Sequence, residues 1–122
     1  MKQEFIIGDI VMYKNRIHTI IDILASNGYE LSYVRHPVSP VRLSGVPLTP
    51  EILEKNGWKD DGYDWYRLPT KRAYLYITKD MTTLGEFLVC VGLDRHNLAS
   101  ISFVHQLQHL LFGLGLKSEM EV

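Results

Sequence analysis

The C-terminal stretch from Ser102 to Lys117 places Val104, Leu107, Leu110, Leu111 and Leu114 at i, i+3, i+6, i+7 and i+10. That spacing is one stripe of a helix of period 3.6. Upstream the pattern changes to short runs with a period of two. Residues 5–24 form two β-rich runs around a polar turn at Asn15-Arg16, a hairpin pattern. In the second run Ile17, Thr19, Ile21 and Ile23 alternate with His18, Ile20 and Asp22, so the face carrying the first four is expected to be buried. Ser26-Asn27-Gly28 signals a turn, and Tyr29 to Arg35 reads as a third strand, with Tyr29, Leu31 and Tyr33 on one face.

Pro37, Pro40 and Pro47 exclude a central strand between His36 and Leu48, which makes this segment a connector. Thr49-Pro50-Glu51 followed by Gly57 has the punctuation of a short helix: an N-cap hydroxyl, proline at the first position, an acid in the positive first turn and a glycine stop. Residues 63–68 and 72–78 are aromatic-rich strands forming a second hairpin. Glu86 to Val91 is a further strand, and Gly92 to Ala99 turns the chain towards the last helix, with Ser100 or Ser102 as the candidate cap. The expected fold is α+β: a mainly antiparallel sheet of six or seven strands, one short central helix and a C-terminal helix packed on the sheet. The opening Ile-Gly-Asp-Ile-Val-Met-Tyr resembles the first strand of SH3-like barrels.

At 122 residues the chain is expected to be a single domain, 1–122, with a β-rich part at 1–45 and the remainder at 46–122. Thirteen basic against fourteen acidic side chains give a net charge of −1, so nucleic acid or an anionic membrane would have to be met by a local patch. Cys90 alone forms no internal disulfide, the opening residues lack a signal-peptide pattern, and no run of about 18 apolar residues occurs. A cytoplasmic protein with no membrane span is expected.

Three stretches resemble a family of short uncharacterised proteins encoded by Bacteroidetes genomes, prophages and other mobile elements. They are Ile7-Gly8-Asp9-Ile10-Val11, the segment from Val46 to Trp58 and the segment from Val104 to Phe112. In that family the middle element is similar to Pro-Leu-Thr-Glu-Glu-x-Leu-x-x-Phe-Gly-Phe and the last to Val-His-Gln-Leu-Gln-Asn-Leu-Tyr-Phe-Ala-Leu-Thr-Gly. This chain departs from it at His109, Leu111 and Gly113-Leu114-Gly115. The resemblance implies a source and a fold, and no activity. It also implies a role common among small cytoplasmic proteins of mobile elements, inhibition of host antiviral defence by binding a CRISPR-type effector, its guide RNA or a nucleotide signal.

Candidate chemistry is sparse. His105 and His109 have the i, i+4 spacing of two zinc ligands, but Gln106 stands where a metalloprotease has its glutamate, and Cys90, Asp94 or His96 would have to supply a third ligand. The alternative is that both imidazoles flank the apolar stripe and bond to neighbouring strands. His105, Gln108, His109 and Phe112 together make a stripe through which the helix would meet a partner or a second copy of the chain.

Between Trp65 and Lys79 the cations Arg67, Lys71, Arg72 and Lys79 interleave with Trp65, Tyr66, Tyr74 and Tyr76, with no acid among them. Rings on a sheet with cations at the rim suit a single-stranded nucleic acid or a nucleotide, at about 1–3 kcal/mol per stacked base. The alternative is an ordinary core face with solvated cations. Glu54, Asp60, Asp61 and Asp64 lie just before this segment as an acidic patch, and Asp60-Asp61-Gly62 is also a turn pattern. Cys90, between two valines with no neighbouring cation in sequence, reads as a buried thiol. No P-loop, nucleophile elbow, dinucleotide fingerprint or cysteine-pair zinc motif occurs, so neither catalysis nor a cofactor is implied.

Overall fold

The computed structural model describes residues 5–25, 28–71, 73–79 and 85–122. Among these, nine strands form two antiparallel sheets, accompanied by two α-helices. The chain divides into two compact units, residues 1–47 with 103–120, and residues 48–102 with 121–122. The second unit is therefore inserted in sequence within the first. The closing helix belongs with the N-terminal strands, and the division falls after Pro47 rather than after residue 45.

In the first unit β1 (Ile10–Tyr13), β2 (Arg16–Ile23), β3 (Tyr29–Leu31) and β4 (Ser44–Gly45) lie in the order β3-β2-β1-β4. The β1–β2 hairpin closes through Lys14 and Asn15, both left-handed at φ 49° and 62°, the primed turn whose twist matches that of the strands. Val11 thereby pairs with His18. The face of β2 that joins buried Val11 and Tyr13 carries His18 and Ile20.

This corrects the expected burial of β2. Ile20 is fully buried, whereas Ile17, Ile21 and Ile23 are 46, 49 and 43 % exposed. The face is chosen by the partner strand, and three isoleucines in alternation do not choose it alone. Phe5, Tyr29, Leu31, Val38 and Leu43 complete this core. Tyr33, expected beside Tyr29 and Leu31, lies beyond the end of β3 in a left-handed conformation and is fully exposed. The Ser26-Asn27 part of the expected turn lies outside the described residues.

Helix α2 (Val104–Gly113) packs against β1 and buries Val104, Leu107 and Leu111. Leu114, placed in the apolar stripe, caps the helix and is largely exposed. The N-cap is Phe103 rather than a serine; its N–H donates to the Gln106 side-chain oxygen at 3.1 Å. Gly45 sits under this turn, where an added Cβ would meet the Phe103 ring at 2.6 Å.

The second unit opens with α1 (Pro50–Lys55), which has the expected caps: Thr49 Oγ1 accepts from the Ile52 N–H at 3.2 Å, and Gly57 takes φ 89°. Leu53 and Trp58 are buried beside it. A meander follows, β5 (Lys59–Gly62), β6 (Trp65–Pro69), β7 (Tyr74–Lys79), β8 (Phe87–Val91) and β9 (His96–Ile101), in that spatial order. Asp60-Asp61-Gly62 is strand rather than turn. The turn comes one step later, at Tyr63 and Asp64, again both left-handed. The segment read as a connection to the helix contains β9, whose sequence has little alternation and which forms by pairing with β8. Leu75, Ile77, Phe87, Val89 and Ile101 are buried on one face of this sheet.

Candidate ligand-binding face

The opposite face of the five-stranded sheet gathers the aromatic and cationic side chains. Alternation along β6 and β7, with Trp65 opposite Thr78, Arg67 opposite Tyr76 and Pro69 opposite Tyr74, places Trp65, Arg67, Tyr74 and Tyr76 on one side. Their rings are in contact. The Trp65 and Tyr76 centroids are 6.3 Å apart and edge-on, and Tyr74 lies 6.3 Å from Tyr76. Tyr76 is buried, while Tyr74 at 42 % exposure presents its ring to solvent.

Guanidinium groups lie over these rings. Arg67 is 5.1 Å from the Tyr74 centroid; Arg95, from the β8–β9 turn, is 4.3 Å from Trp65 and 5.0 Å from Tyr76. Such stacking fixes the planes of both cations. Lys59 pairs with Arg67 across β5 and adds a cation to the same side. Asp61 faces both arginines, at 3.7 Å from Arg67 and 3.5 Å from Arg95.

Of the residues singled out in sequence, Trp65, Arg67, Tyr74 and Tyr76 are thus brought together. Lys71 is exposed in the loop after β6, Lys79 alternates onto the other face, and Arg72 lies outside the described residues. Arg95, Lys59 and Asp61 were missed as members of the face. Arg95 stands in a segment read as a mere connection, and Asp61 in one read as a turn.

The two sides of this sheet differ in sign. Tyr66, on the side away from Arg67, has its phenol pKa raised, first by burial and then by Glu54, Asp60, Glu51 and Asp64. The expected acidic patch is therefore split, with Asp61 on the arginine side. Cys90, opposite Tyr76, is buried and its thiol pKa is raised by desolvation, with Arg95 opposing weakly. A thiol held protonated is a packing group and a poor nucleophile.

In the first unit Gln108 and His109 of α2 have structural partners and His105 is buried, so two of the four residues of the expected interaction stripe are turned inward. Gln108 is 4 % exposed: its side-chain oxygen accepts from the Ile10 N–H at 2.9 Å and its amide donates to the Gly8 carbonyl at 3.0 Å. His105 is 3 % exposed, stacked on Phe103 at 16° and 4.9 Å from the Phe5 ring centroid, with Nδ1 lacking a partner. Burial lowers its pKa, against a smaller raising effect of Asp9.

His109 Nε2 lies 2.7 Å from Asp9 Oδ2, which also accepts from the Ile6 N–H at 2.9 Å. Only Phe112, 69 % exposed, and partly exposed His109 remain open to a partner on this stripe. Among the described residues no three His, Cys, Asp or Glu side chains converge in a way that could hold a metal ion. Among them, too, no helix is long and apolar enough to cross a membrane. Comparison of the chain with family models, curated proteins and solved structures finds no match.

Proposed function

We propose that the chain is a non-catalytic binding protein of a phage or mobile element, and that its ligand is a single-stranded RNA or a nucleotide belonging to a host antiviral defence. The observation that carries the binding half is the ring and guanidinium ladder Trp65–Arg95–Tyr76–Arg67–Tyr74 on one sheet face. The exposed Tyr74 ring offers a surface that stacks a base without regard to sequence, and planar guanidiniums beside it pair with phosphate. The defence half rests on the resemblance of the three motif stretches.

A nucleic-acid module with no defence role is the second reading, favoured by the same face. The proposal also takes β1 to β4 as an SH3-like strand set, supported by the length of β2 and by the bulge between Ile20 and Asp22 where it passes from β1 to β3. It places the protein in the host cytoplasm.

Fluorescence anisotropy of labelled oligouridylate at low salt tests the face. Tyr74→Ala is expected to weaken binding between about 5-fold and 150-fold, the equivalent of one stacked base. Absence of binding to both oligonucleotides and mononucleotides, or an affinity unchanged by Tyr74→Ala, overturns the proposal. Expression in a host with an active RNA-guided defence separates the two readings: restored phage plaquing supports the defence role, and unaltered plaquing leaves the plain module.

A further inference from the structure

We infer that the Asp61 carboxylate holds, in the free protein, the place that a ligand phosphate takes between Arg67 and Arg95. This rests on the proposed stacking face and identifies its anion subsite. Two guanidiniums converge on one carboxylate, Arg67 on Oδ1 at 3.7 Å and Arg95 on Oδ2 at 3.5 Å. A well-made guanidinium–carboxylate bond is about 2.7–2.9 Å long, so Asp61 leaves both cations under-satisfied.

The three side chains are 39, 41 and 25 % exposed, for Arg67, Arg95 and Asp61 respectively. Solvated pairs of that kind hold weakly and are readily exchanged. The arginines, by contrast, are held by the rings beneath them, so the gap between them persists when the carboxylate leaves.

Asp61 is also free to leave without unzipping the sheet. The β5–β6 register runs Asp60 to Tyr66 and then Gly62 to Trp65, which makes Asp61 the extra residue of a bulge on an edge strand. A phosphate carries as much charge or more and offers several oxygens to the two planar forks, while an attached base falls beside exposed Tyr74. Asp61 then acts as an internal competitor. It sets the affinity for phosphorylated ligands and excludes weaker carboxylate-bearing ones.

The test titrates wild type, Asp61→Asn and Asp61→Ser with adenosine, AMP and a short oligouridylate. Both variants are expected to bind a phosphorylated ligand about fivefold more tightly, with adenosine unchanged. Arg95→Gln placed on Asp61→Asn is expected to cancel the gain. Gain with AMP marks recognition of a terminal phosphate, and gain with the oligonucleotide alone marks an internal phosphodiester; either supports the subsite. If wild type binds and both variants bind equally or less well, the subsite is overturned and the stacking face stands. If neither wild type nor variants bind any ligand, both fall.

Discussion

His105 is a base kept from its proton. Its ring lies among Phe5 and Phe103 with Nδ1 unpartnered, and desolvation lowers its pKa from the ordinary value. Below about pH 6.5 the unfolded chain therefore binds a proton at this position that the folded chain refuses. The stability associated with the neutral ring is complete above that pH and is lost progressively as the pH falls from there towards the lowered pKa of the folded state. Urea midpoints at pH about 7.5 and about 5.5 are expected to fall more steeply for wild type than for His105→Leu. An equal fall in the two would show that the ring is protonated in place. The letters His105, Gln108 and His109 were visible as polar residues on an apolar helix. That an imidazole here could bond to a neighbouring part of the chain was one of the readings, as His109 does with Asp9; the burial of Gln108 was not, because its partners, the Ile10 N–H and the Gly8 carbonyl, lie about a hundred positions away in sequence.

At the scale of elements, helix α1 was legible from its local signals. Helix α1 is set by a hydroxyl, a proline and a glycine within nine residues, each acting on its own backbone. Thr49→Ala removes the bond to the Ile52 N–H and is expected to cost about 1 kcal/mol, measured as a shift in the urea midpoint at unchanged slope. The β1–β2 hairpin was located with its turn displaced by one residue, the β6–β7 hairpin was located with its connection at 69–71, and the β5–β6 hairpin was not expected. Lys14-Asn15 and Tyr63-Asp64 take left-handed conformations without the glycine that normally advertises them. A displacement of one matters in a strand because it exchanges the two faces. Strand β9 had no local signal at all: His96–Ile101 is a strand because β8 offers it a ladder.

For the molecule as a whole, a net charge of −1 hides a local arrangement of opposite signs, with cations over rings on one side of the second sheet and acids around Tyr66 on the other. Binding of one phosphate between Arg67 and Arg95 would neutralise a single backbone charge, so the logarithm of the affinity is expected to fall with the logarithm of salt at a slope of about −0.7. Anisotropy titrations across a salt series measure it. A slope near zero would mean that the rings bind without the arginines, and a much steeper one would bring in Lys59 and Lys71.

Periodicity and punctuation in the sequence determined the α+β class, the antiparallel character of the strands and both helices, because each depends on neighbours within a turn or a pleat. Tertiary structure alone decided which face of β2 is buried, that the closing helix packs on β1, and that Arg95 and Asp61 join Trp65, Arg67, Tyr74 and Tyr76. Those outcomes follow from strand register and from contacts between distant residues, which no local pattern encodes.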